Sequence, residues 1–108
     1  MAEELSPEEV EARREELQIV DIRSPVAFEQ GHIPGAVNLP FPELPRRVGE
    51  YDWGEEVVVV CPVGKSSIQA ARLLKSYEGV DDDATVASMA GGYEEWGGEL
   101  EGGADGSS

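Results

Sequence analysis

The sequence predicts a small α/β domain: a mainly parallel sheet flanked by helices on both faces. Three observations carry that expectation. Residues 57–60 are four consecutive valines, β-branched and without polar alternation, as in a strand buried on both faces of a parallel sheet. Shorter apolar blocks at 17–22 and 85–89 repeat the pattern, and segments with helix-start chemistry stand between the blocks. At 108 residues and 11.6 kDa, the chain holds one such domain and little else.

Each element has a local reason. Ser6-Pro7-Glu8-Glu9 starts a helix, with Ser6 as cap, Pro7 in the first turn and Glu9 closing a capping box. That helix is expected to run to about Glu15. Residues 17–22 then form a buried strand, and Ser24-Pro25 opens a second short helix through Phe28, stopped at Gly31. Residues 31–35 are a loop, because their prolines and glycines deny regular structure. Residues 36–39 read as a short strand and 42–48 as a short helix. The valine strand runs into Cys61-Pro62-Val63-Gly64-Lys65-Ser66, and a helix follows to Lys75 with Ile68, Ala71 and either Leu74 or Lys75 recurring at helical spacing to face inward. Residues 85–89 form the last expected strand, and 91–96 a turn into a final short helix. The domain is expected to span residues 1–100, followed by a disordered acidic Gly/Ser tail at 101–108.

Charge and cysteine content exclude several classes of function. Eight Lys and Arg stand against 23 Asp and Glu, a net charge of −15. So dense a negative surface repels polyanions, which argues against nucleic acid and anionic membranes as partners. The longest apolar run, ending at Cys61, is far too short to span a bilayer. The acidic N-terminus lacks signal-peptide character, so a cytoplasmic location is expected. One cysteine permits neither an intramolecular disulfide nor a cysteine-pair zinc site, and no metal or other cofactor is expected. The acid excess predicts a halophilic surface, since at about 1 M salt the screening length falls to about 3 Å and self-repulsion fades.

Chemistry is expected at Cys61. A thiol between a buried parallel strand and the next helix lies at the carboxyl ends of the strands, where open α/β sheets keep their sites. The backbone N–H groups of Gly64, Lys65, Ser66 and Ser67 can turn toward the sulfur at the positive end of the helix and favour the thiolate. Lys65 adds a cation to a chain with only two lysines. Gly64-Lys65-Ser66 also resembles a phosphate-binding loop, but that motif needs a glycine where Val59 stands. A cysteine phosphatase would need arginine six residues after the cysteine, where Ser67 stands.

Three motifs make a resemblance specific. Asp21-Ile22-Arg23 with Phe28-Glu29-Gln30-Gly31-His32-Ile33-Pro34-Gly35-Ala36-Val37-Asn38-Leu39-Pro40 resembles the amino-terminal signature of the rhodanese homology domain. The valine strand with Cys61-Pro62-Val63-Gly64-Lys65-Ser66-Ser67 is similar to that family's active-site loop. Gly91-Gly92-Tyr93-Glu94-Glu95-Trp96 resembles its Gly-Gly…Trp element. The matches follow the family's order over roughly residues 5–100.

The resemblance implies a single-domain sulfurtransferase in which Cys61 is the nucleophile and persulfide carrier. Val63, Gly64, Lys65, Ser66 and Ser67 would bind the transferred sulfur and its donor. Asp21, Arg23, Glu29 and His32 would brace the site. The implied partners are a small sulfur donor, such as thiosulfate or a persulfide, and a thiol, cyanide or protein acceptor. A monomer or weak dimer is expected. The other reading within the family is a non-catalytic binding or regulatory module. Two departures bear on the donor: Ser66 occupies a position where family loops often carry arginine, and Pro62 removes one N–H from the ring.

Overall fold

The computed structural model describes residues 3–62 and 64–102. Five strands form one sheet: β1 (Glu3–Leu5), β2 (Gln18–Asp21), β3 (Val37–Asn38), β4 (Glu56–Val60) and β5 (Thr85–Met89). All pair in parallel, in the order β1-β5-β4-β2-β3. The α-helices are α1 (Pro7–Ala12), α2 (Pro25–Gln30), α3 (Leu44–Arg47) and α4 (Ser66–Ser76). The expected fold class is the one observed.

The valine run is the centre of the sheet and explains where the core sits. Alternate side chains point to opposite faces. Val57 and Val59 join Val20, Val86, Ala70, Ala71 and Leu74 on the face covered by α4. Val58 and Val60 join Ile19, Ala87, Met89 and Val10 of α1 on the other. Burying a valine stabilises by roughly 1.5–3 kcal/mol relative to exposure. Because β4 buries four of them between β5 and β2, its carboxyl end is held firmly, and Cys61 follows directly.

Among the described residues, the Ser6 cap forms without the reciprocal Glu9 side-chain bond of a capping box, and Ser24 caps α2 in the same way. Ser6 Oγ accepts the Glu9 N–H at 3.1 Å, and Ser24 Oγ accepts the Ala27 N–H at 3.2 Å. Several boundaries differ from expectation. The helix after Ser6 ends at Ala12 rather than near Glu15, with Arg13 closing it through a hydrogen bond to the Glu9 carbonyl. Arg13 also pairs with Glu56 on β4, so its side chain serves the sheet rather than the helix face. The expected helix at 42–48 is broken into 3-10 turns on either side of a single α-helical turn, as befits Pro42 and Pro45. The segment after Gly91 is likewise a 3-10 turn, Gly92–Glu95, ended before Trp96. Strand β1 was not expected. It is a three-residue edge strand with two glutamates, and only Leu5 joins an apolar cluster.

Of the expected tail, Glu101 forms a bridge with His32, and residues 103–108 lie outside the described ones.

Candidate functional site

Cys61 lies at the carboxyl end of β4 and is only 1% exposed. Its Sγ accepts the N–H of Gly64 at 3.0 Å. The same sulfur is 3.3 Å from Ser67 Oγ, which in turn is 2.6 Å from Ser88 Oγ on β5. The sulfur therefore faces a backbone donor from the loop and a hydroxyl from the first turn of α4. Such an arrangement suits a negatively charged sulfur, because donors fixed by folding need no reorganisation when charge develops.

The loop residues divide by exposure. Gly64 and Ser67 are buried, whereas Pro62, Lys65 and Ser66 are exposed. Lys65 occupies the N-cap of α4, with no side-chain cap bond. Val63 lies outside the described residues. Gly64 has φ +84°, a conformation that favours glycine.

The loop is clamped from above by residues 91–94. The Tyr93 N–H donates to the Cys61 carbonyl at 2.9 Å, and the Glu94 N–H donates to the Pro62 carbonyl at 3.1 Å. The proline that removes one donor thus supplies an acceptor. Gly92 is buried, with φ +61°, and its α-carbon packs directly against the loop backbone.

Asp21 and Arg23 brace this clamp. Asp21 is fully buried at the end of β2. Its carboxylate accepts Arg23 Nε at 3.1 Å, Arg23 Nη2 at 2.8 Å and the Arg23 backbone N–H at 2.9 Å. It also accepts the Tyr93 hydroxyl at 2.8 Å. The Arg23 guanidinium lies over the Tyr93 ring, 3.8 Å from its centroid, and donates to the Gly31 carbonyl at 2.7 Å. Burial works against the Arg23 charge, yet the hydrogen bond and charge of Asp21 outweigh it and hold its pKa above the ordinary value. Burial first, and the Asp21 charge second, push the Tyr93 hydroxyl well above the ordinary tyrosine range. Tyr93 consequently stays a donor. Asp21, Arg23 and Tyr93 together link the end of β2 to the carbonyl of Cys61.

His32 and Glu29 fall elsewhere. His32 stacks on Phe28 with centroids 3.7 Å apart, and its Nδ1 lies 2.8 Å from the Phe28 carbonyl. Its backbone exchanges two hydrogen bonds with Glu101. It ties the end of α2 to residue 101, not to the cysteine loop. Glu29, expected as a brace, is instead exposed on α2, and its carboxylate takes no hydrogen bond or ion pair among the described residues. A solvated carboxylate has no desolvation penalty for a brace to offset.

Sequence reasoning assigned no role to Tyr93 or Ser88. Tyr93 stood inside a recognised motif, but its partner Asp21 is 72 residues away. The signal for Ser88 was a hydroxyl at a strand position where Val86 and Ala87 precede it and Met89 follows.

Fold and site together define an α/β protein carrying a buried thiol, hydrogen-bonded to the Gly64 N–H and the Ser67 hydroxyl, between a central parallel strand and its helix. The rhodanese-like domain pattern matches residues 6–99, and the chain belongs to that family. It is 40% identical over 93 residues to a protein named thiosulfate sulfurtransferase GlpE from Pseudomonas syringae pv. syringae, covering 85% of this chain and 84% of that one. A protein of the same name from Shewanella oneidensis is 44% identical over 80 residues, covering 74% of this chain and 75% of that one. Among solved structures, a rhodanese-like domain protein from Staphylococcus aureus superposes with a TM-score of 0.77 at 25% identity, covering 93% of this chain and 97% of that one. A rhodanese-related protein from Thermoplasma volcanium shares the fold, with a TM-score of 0.80 at 19% identity over 92% of this chain and 97% of that one.

Proposed function

We propose that this chain is a sulfurtransferase that carries a sulfane sulfur on Cys61. The observation that carries the reading is the Cys61 sulfur at the end of β4, facing the Gly64 N–H and the Ser67 hydroxyl. The Cys61 thiolate attacks the outer sulfur of thiosulfate. A new S–S bond forms, the thiosulfate S–S bond breaks, and sulfite leaves with the electron pair. Cyanide or an acceptor thiolate then attacks the terminal sulfur and restores the Cys61 thiolate. Splitting the transfer at a covalent intermediate replaces one difficult step with two easier ones. The relatives named thiosulfate sulfurtransferase support the same reaction class.

Mass spectrometry after incubation with thiosulfate or a persulfide donor tests the proposal. The parent chain is expected to gain one sulfur atom on Cys61, and Cys61→Ser is expected to gain none while keeping the fold. A folded parent that takes sulfur from neither donor would leave the non-catalytic binding module as the better reading.

Donor preference is expected to follow Ser66. This residue is exposed at the first position of α4, and an arginine there would offer an oxyanion a planar two-point grip. A hydrogen bond to a charged group contributes roughly 1.5–3 kcal/mol, so Ser66→Arg should improve kcat/KM for thiosulfate by about tenfold to a hundredfold. The gain should come mainly through KM, with persulfide transfer changing much less. Lys65→Ala should weaken thiosulfate use in the parent. Thiocyanate formation at fixed salt concentration measures both.

A further inference from the structure

We infer that Ser88 is a positioning residue for Cys61, acting through Ser67 to keep a hydroxyl proton aimed at the sulfur. The significance of this pair rests on the proposed role of Cys61, but its geometry stands apart from that role. Ser88 lies on the inner strand β5, in register with Val59 of β4. Two residues before it, Val86 belongs to the apolar face covered by α4, so Ser88 faces the same layer. A hydroxyl there is costly unless it is hydrogen-bonded. Both Ser88 and Ser67 are fully buried.

Counting protons orders the chain. Among the described residues, Ser88 Oγ has one hydrogen-bond partner, Ser67 Oγ at 2.6 Å. Ser67 Oγ has two, Ser88 Oγ and Cys61 Sγ at 3.3 Å. Each hydroxyl has a single proton to donate. If Ser67 donated to Ser88, the buried Ser88 proton would have no acceptor among the described residues. If Ser88 donates to Ser67, the Ser67 proton is released toward the sulfur and both donors are used. With Cys61 ionised, the second arrangement leaves neither buried hydroxyl orphaned, which decides between them for the thiolate; a neutral thiol donates to Ser67 Oγ and reverses the order. The thiolate is the nucleophilic state, which can accept and has no proton to give. Ser88 thus touches no reacting atom and sets the direction of the bond that does.

The test reads the thiol directly. Cys61 is the only cysteine, so the rate of alkylation by iodoacetamide against pH reports this site alone. Ser67→Ala removes a donor to the charged sulfur and should move the midpoint of that profile up by about one pH unit. Ser88→Ala should also move it up, by about half to one unit, because Ser67 is then free to turn its proton elsewhere. The double variant should match Ser67→Ala, since Ser88 acts only through Ser67. A folded Ser88→Ala whose profile overlays the parent's, or fully additive shifts in the double variant, would overturn the inference. A second reading uses the unaltered chain. A Ser88 hydroxyl proton that exchanges slowly enough for NMR detection and shows a cross-peak to Ser67 supports the ordered pair, and its absence counts against it. A parent that shows this pH behaviour but loads no sulfur removes the sulfurtransferase reading and leaves the serine pair standing.

Discussion

Gly92→Ala should unfold the cysteine loop and lower the melting temperature of the whole domain by roughly 12–24 °C, at about 4–8 °C per kcal/mol for a domain near this size. The expectation follows from two costs. Gly92 has φ +61°, and a left-handed conformation costs a residue with a β-carbon about 1–2 kcal/mol. The added carbon would also overlap the Cys61 carbonyl oxygen and stand 2.7 Å from both Gly64 N and the Pro62 carbonyl carbon. All three neighbours are backbone, so no flexible side chain can yield. Together the costs reach about 3 kcal/mol or more, within the range that overpacking and backbone strain produce. Sulfur loading on Cys61 should fall with it, because the same carbonyl anchors the Tyr93 N–H. Thermal melts of parent and variant check this. A variant that melts with the parent would show that residues 91–92 do not clamp the loop.

Glycines of this kind mark the limit of what the sequence reveals. Gly91-Gly92 was legible as a motif, but the reason for Gly92 lies in a tertiary contact with the backbone of Cys61, Pro62 and Gly64. The same division runs through the fold. Strand β4 was legible because burial on both faces leaves four β-branched residues in a row. Strand β1 was not, because an edge strand of three residues with two glutamates carries almost no hydrophobic signal. The inward face of α4 was read from Ile68, Ala71 and either Leu74 or Lys75, and Lys75 is exposed. The buried residues are Ser67, Ala70, Ala71 and Leu74, with Ile68 only half-buried. Apolar periodicity cannot find a helix face that begins with a serine directed at a sulfur. Cys61 was legible from its place between strand and helix. Its hydroxyl chain was not, because Ser67 and Ser88 are 21 residues apart and each is unremarkable in its own segment.

Arg23→Ala should destabilise the domain by about 3–5 kcal/mol, the usual consequence of removing one partner from a buried ion pair. The Asp21 carboxylate is fully buried, and the Arg23 side chain is 13% exposed. Without the guanidinium, the carboxylate keeps, among the described residues, the Tyr93 hydroxyl and the backbone N–H of residue 23. The Gly31 carbonyl also loses its Arg23 donor, and the Tyr93 ring loses the cation stacked on it. Most of the penalty is the charge left behind rather than the bonds removed. That reasoning predicts a specific rescue. Adding Asp21→Asn to Arg23→Ala removes the uncompensated charge while keeping an oxygen for Tyr93, so the double variant should be more stable than Arg23→Ala alone. The order of stability should therefore be parent, then double variant, then single variant. Urea unfolding of the three chains in one buffer measures it. If the double variant is the least stable, the bonds of the pair outweigh its charge. The link from β2 through Tyr93 to the Cys61 carbonyl would then be held by hydrogen-bond geometry rather than by charge compensation.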